Sequence, residues 1–85
     1  MRVEDEIRQK LEAAFAPRVL EVTDDSEAHR GHAGYQDGGQ SHFQVRIASE
    51  HFQDLSRIAR HRAVHGALGP DLIGRIHALG LTIEV

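Results

Sequence analysis

Apolar residues recur every four positions at the start of the chain, at Val3, Ile7, Leu11 and Phe15, with Ala14 widening the stripe. That period is helical and predicts an amphipathic helix over Met1 to Ala16. Glu4, Asp5 and Glu6 fall in its first turn, where the helix dipole favours negative charge, and Pro17 ends it. The period then changes to two. Arg18 to Thr23 puts Leu20 and Val22 on one side and Glu21 and Thr23 on the other, and His42 to Ser49 alternates Phe43, Val45 and Ile47 with His42, Gln44 and Arg46. Both read as strands. Between them, Asp24 to Ser41 holds Gly31, Gly34, Gly38 and Gly39 and no apolar period. Connections of that length are uncommon in small domains and tend to be functional or disordered.

A second helix is predicted over Leu55 to Leu68, with Ile58, Ala59, Ala63, Val64, Ala67 and Leu68 as its apolar face and Arg57, Arg60 and Arg62 making it basic. Gly69 and Pro70 break it. Pro70 suits the first position of a new helix, expected over Asp71 to His77 with Leu72, Ile73 and Ile76 inward. Leu81 to Val85 alternates again and reads as the last strand. The order is therefore helix–strand–strand–helix–helix–strand. A helical crossover between strands two and three permits them to be parallel, while strands one and two are antiparallel. The expected fold is one α/β (α+β) domain over residues 1–85, with a three-stranded mixed sheet and helices on one face. This is the second type of KH-like topology, α-β-β-α-α-β. Phe43, Val45 and Ile47 should meet Val3, Ile7, Leu11 and Phe15, because each stripe needs a partner.

Composition narrows the chemistry. The chain has no cysteine, so neither a disulfide nor a thiolate ligand is available, and any metal site must use histidine or carboxylate. It has seven histidines in 85 residues. Net charge is −3 with a pI near 6.1, which argues against bulk attraction to nucleic acid or anionic membrane. No apolar run approaches the roughly 18 residues needed to cross a bilayer. Met1 to Lys10 is charged throughout, unlike a signal peptide, so a cytoplasmic location is expected. Ser26, Ser41, Ser49 and Ser56 are the only serines, with no nucleophile elbow or phosphate loop around them. Asp24 and Asp25 are adjacent and diverge, so they are no acid/base pair. The chain therefore reads as a binding protein without a small-molecule substrate, not an enzyme.

Several segments, in register along nearly the whole chain, carry a resemblance. Leu20-Glu21-Val22-Thr23-Asp24-Asp25-Ser26, Ser41-His42-Phe43-Gln44-Val45, Arg60-His61-Arg62-Ala63-Val64 and Ile76-His77-Ala78-Leu79 resemble the BolA family. His29-Arg30-Gly31-His32-Ala33-Gly34 is similar to the His-x-Gly-His-x-Gly loop of its bacterial and plastid members. Two departures stand out. Phe52-Gln53-Asp54 replaces a frequent Phe-x-Gly turn, and the Thr-Pro and Trp-bearing tail of many members does not follow the last strand.

The resemblance implies that His77 ligates a [2Fe–2S] cluster shared with a monothiol glutaredoxin, which would supply thiolates, including that of glutathione. The second ligand would come from the loop between strands one and two, where His29 matches best and His32 is the runner-up. Imidazole can replace thiolate on such an iron. The implied role is an adaptor in iron–sulfur cluster assembly or trafficking, or in iron regulation. The alternative is a DNA-binding transcriptional regulator using Arg57, Arg60 and Arg62 against phosphates. Gly66-Ala67-Leu68-Gly69 has the spacing and place of a KH clamp loop, but its middle residues carry no charge and look like a helix end. His61 and His65, four apart on one helix, could hold zinc, yet no third ligand is recognisable, and packing histidines are the simpler expectation. His42 and His51 carry no signal beyond their strand and turn positions.

Overall fold

A computed structural model describes residues 2–24 and 42–85. The chain runs α1 (Val3–Phe15), β1 (Val19–Asp24), β2 (His42–Ala48), α2 (Arg57–Leu68), α3 (Pro70–Arg75) and β3 (Ala78–Glu84), with a 3-10 turn at Glu50–Phe52 before α2. The sheet order is β1-β2-β3, antiparallel between β1 and β2 and parallel between β2 and β3. The expected mixed sheet and element order are both present. The glycine-rich connection with His29 and His32 lies outside the described residues.

The register explains the core. Val22, Val45 and Leu81 stand side by side across the three strands, as do Leu20, Ile47 and Ile83. This apolar face receives Ile7 and Leu11 from α1, Val64 and Leu68 from α2, and Leu72 from α3, all in one cluster with Phe43 and Phe52. Phe43, Val45 and Ile47 are buried as their alternation requires, and Val3 and Phe15 pack at the cluster's margin. The opposite sheet face is polar. Arg46 spans it, donating to Glu84 at 2.8 Å and lying 3.6 Å from Glu21.

The termini of the elements have local causes. α1 ends at Ala16, whose left-handed backbone (φ 43°) returns its N–H to the Glu12 carbonyl at 3.1 Å. Ser49, buried after β2, donates its hydroxyl to the Phe15 carbonyl at 2.7 Å and accepts from the His51 N–H. That turn places Phe52 against Phe15, with ring centroids 4.7 Å apart. The turn therefore forms with Asp54 where a glycine is frequent. Ser56 caps α2 by accepting from the Ala59 N–H at 3.1 Å. Gly69 joins α2 to α3 at φ 87° and ψ 155°, a region essentially restricted to glycine.

Three sequence expectations need correction. The last strand begins at Ala78 rather than Leu81, and α3 ends at Arg75 rather than His77. Gly80 hid the longer strand, since glycine in a strand lacks a side chain to pack. Its missing Cβ has a use here: the Gln44 side chain, from the neighbouring strand, occupies that space. Ile58, placed in the apolar face of α2, is 65% exposed. The buried stripe of α2 is set by Val64 and Leu68, and Ile58, Arg62 and His65 fall on the outward side.

Candidate functional site

The early start of β3 builds the site. Parallel pairing sets Ala78 opposite His42, the first residue of β2. His77, in the bend between α3 and β3, then stands beside His42, with ring centroids 4.9 Å apart and planes at 53°. His42 is 3% exposed, while His77 is exposed. The two rings therefore do different work. His42 is buried and packs its ring against that of His77. His77 leaves its ring open to the surroundings. Sequence reasoning missed His42. The only signal for it was the β2–β3 register, which requires knowing where β3 starts.

Among the described residues, no group of three or more histidine, cysteine or carboxylate side chains could hold a metal ion. Of the expected ligands, His77 is the one that lies among the described residues. His29 and His32, the other expected ligands, lie outside the described residues.

His61 and His65 project from α2. With Ile58 and Arg62 they line a shallow depression of about 300 Å³. His61 is half-buried, as a packing residue would be, but His65 is exposed.

The three expected phosphate contacts are not equivalent. Arg57 and Arg62 are exposed, whereas Arg60 is half-buried and donates from Nε to the Leu55 carbonyl at 3.0 Å. None of the three is ion-paired with a carboxylate among the described residues. Arg2, Arg8, Arg46 and Arg75 all are. The arginine hydrogen bonds at Glu6 (from Arg75) and at Glu84 (from Arg46) hold both carboxyls below their ordinary range. Arg57 and Arg60 also line a groove of about 450 Å³ with Leu55 and His61, facing Leu81, Thr82 and Ile83 of β3. The candidate clamp loop is no loop. Gly66, Ala67 and Leu68 are the last turn of α2, Leu68 is core, and Gly69 returns its N–H to the His65 carbonyl at 3.0 Å.

Comparison with known proteins agrees with this architecture. Residues 11–84 match the family described as BolA-like protein. BolA-like protein 1 of Homo sapiens is 43% identical over 79 residues, covering 93% of this chain and 55% of that protein, so the chain spans about half the length of that relative. The protein named DNA-binding transcriptional regulator BolA in Escherichia coli is 38% identical over 81 residues, covering 95% of this chain and 73% of its own. Among solved structures, the BolA domain of SufE1 from Arabidopsis thaliana superposes with a TM-score of 0.80 at 38% identity, covering 95% of this chain and 88% of that one. With a family match across most of the chain, and a solved fold of the same kind, this protein belongs to the BolA-like family.

Proposed function

We propose that this protein is a non-catalytic adaptor in iron–sulfur cluster assembly or trafficking, or in iron regulation, which shares a [2Fe–2S] cluster with a monothiol glutaredoxin. The observation that carries this reading is the His77 ring, exposed at the α3–β3 bend and packed against buried His42. A chain without cysteine can offer such a cluster only nitrogen or oxygen donors. It cannot supply the thiolates that usually hold one, so a shared site fits its donor set and an autonomous one does not. The partner would contribute its own cysteine and that of glutathione. His77 would be one ligand from this chain, and a histidine of the β1–β2 connection, His29 or else His32, the other. The cluster supplies the redox and transfer chemistry when bound. The chain's part is to hold His77 in place, and His42 does this through the ring contact.

The test is anaerobic reconstitution with a monothiol glutaredoxin and glutathione, read by visible absorption, circular dichroism and potential. His77→Ala should alter all three, since another donor must fill the vacancy. His29→Ala should act more weakly, because His32 is three residues away. Acid should dissociate the mixed site, as imidazole must be neutral to bind. A wild-type spectrum, potential and stability from the His77→Ala complex would remove the reading at its central residue.

Direct DNA binding is the weaker reading. It draws on the name of the Escherichia coli relative and on the three arginines without carboxylate partners. Against it stand a clamp sequence that is wound into α2 and a net charge of −3.

A further inference from the structure

The arginines of α2 need an account that the cluster does not give. In an acidic chain, four other arginines find carboxylates, while Arg57, Arg60 and Arg62 find none among the described residues. Two of the three line the groove between α2 and β3. The far wall of that groove is the last strand of the sheet. β3 pairs with β2 on one side only, so its outer edge carries no strand among the described residues. Unpaired edges present N–H and C=O groups ready to accept another strand. The groove is also apolar where a strand's side chains would fall, at Leu55, Leu81 and Ile83, each half-buried.

We infer that the α2–β3 groove is a docking site for an acidic, extended polypeptide segment, which adds to the outer edge of β3 and places its carboxylates on Arg57 and Arg60. Strand addition draws affinity from backbone hydrogen bonds and specificity from alternate side chains. Here the side chains on the α2 side of the sheet would lay their stems on Leu81, Ile83 and Leu55 and their carboxylates on Arg57 and Arg60, and the alternate set would stand with Thr82 on the polar face. Arg60 is prepared for this. Its Nε bond to the Leu55 carbonyl fixes the stem and leaves its terminal nitrogens to donate. A single-stranded nucleic acid fits less well. Phe, Tyr and Trp platforms are absent from the lining, and the GxxG sequence that would clamp a backbone is helical. The site is separate from His77, so the proposal stands whether or not this chain ligates a cluster.

The test titrates the 85-residue protein, labelled with nitrogen-15, with a blocked octapeptide of alternating glutamate and valine. The lysine–valine counterpart and a thymidine oligonucleotide of equal length run in parallel. The acidic peptide should shift the Leu81, Thr82 and Ile83 amides and slow their hydrogen exchange. Arg57→Glu, at an exposed position, should weaken that binding about fivefold, the upper range for losing an exposed ion pair, while the rest of the spectrum stays that of the folded protein. Equal binding of the lysine peptide, or no change at residues 81–83 with millimolar acidic peptide, overturns the proposal. So does binding of the oligonucleotide there in preference to the peptide, which would make the groove a nucleic-acid surface instead.

Discussion

Two helices, α1 and α2, contribute to the same core and treat their charges in opposite ways. Inward they are equivalent, with Ile7 and Leu11 on one and Val64 and Leu68 on the other, all buried in a single cluster. Outward they diverge. The charges of the first two turns of α1 are paired within the fold: Asp5 lies 3.5 Å from Arg8, Glu4 accepts from Arg2, and Glu6 takes two hydrogen bonds from Arg75 of α3. The arginines of α2 have no carboxylate partners among the described residues, and two of them, Arg57 and Arg62, point out beside an exposed Ile58. The same packing requirement shapes both inner faces, so it cannot explain the difference. One helix uses its polar side to dock its neighbours, and the other holds its polar side available.

The largest effects should come from the inner faces, where the helices are alike. Phe43→Ala beneath them should cost about 3–5 kcal/mol, and Leu11→Ala and Leu68→Ala about 2–5 kcal/mol each, by urea denaturation. A tolerated Leu68→Ala beside a crippling Leu11→Ala would break the equivalence. Next comes the cap of α2. Ser56→Ala should cost about 0.5–2 kcal/mol by the same measurement, because the Ala59 N–H loses its acceptor.

The outer faces separate in acid. Glu6 has its folded pKa lowered, chiefly by the Arg75 hydrogen bond, so its contribution is present above the ordinary carboxylate range. It is lost as pH falls through that range toward the depressed folded value. Stability followed against pH should therefore decline less steeply in Glu6→Gln than in the wild type, while Arg57→Gln leaves the slope unchanged. The smallest effect is on stability at neutral pH: Arg57→Glu and Arg62→Glu should stay within about 0.5 kcal/mol of wild type, as surface changes without partners do. A large loss from either would mean that α2's cations are structural after all. Any duplex DNA affinity through these arginines should fall by roughly 0.9 log unit per log unit of salt for each phosphate contact, measured by anisotropy.

Much of this could be read along the chain. The four-residue repeat of α1 and the alternation of β2 are local, and each names its own buried side. Such patterns identify an element and its inner face without reference to anything distant. Ile58 shows the limit. α2 has apolar residues around more of its circumference than it can bury, and Val64 and Leu68 win because their side of the helix meets the sheet.

The sequence by itself determined the element order, the core stripes, the absence of thiolates and the family's residues, because each is a property of neighbours in the chain or of composition. Tertiary structure decided which distant residues meet. Gly80 became part of a strand because parallel pairing lays it beside Gln44, whose side chain fills the space a Cβ would take. The same register brought His77 to His42 across 35 positions of sequence. It also left β3 with an outer edge beside Arg57 and Arg60. Strand register is fixed by the whole sheet and the helices packed on it, so neither the histidine pair nor the cationic groove has a signature in any local stretch of the chain.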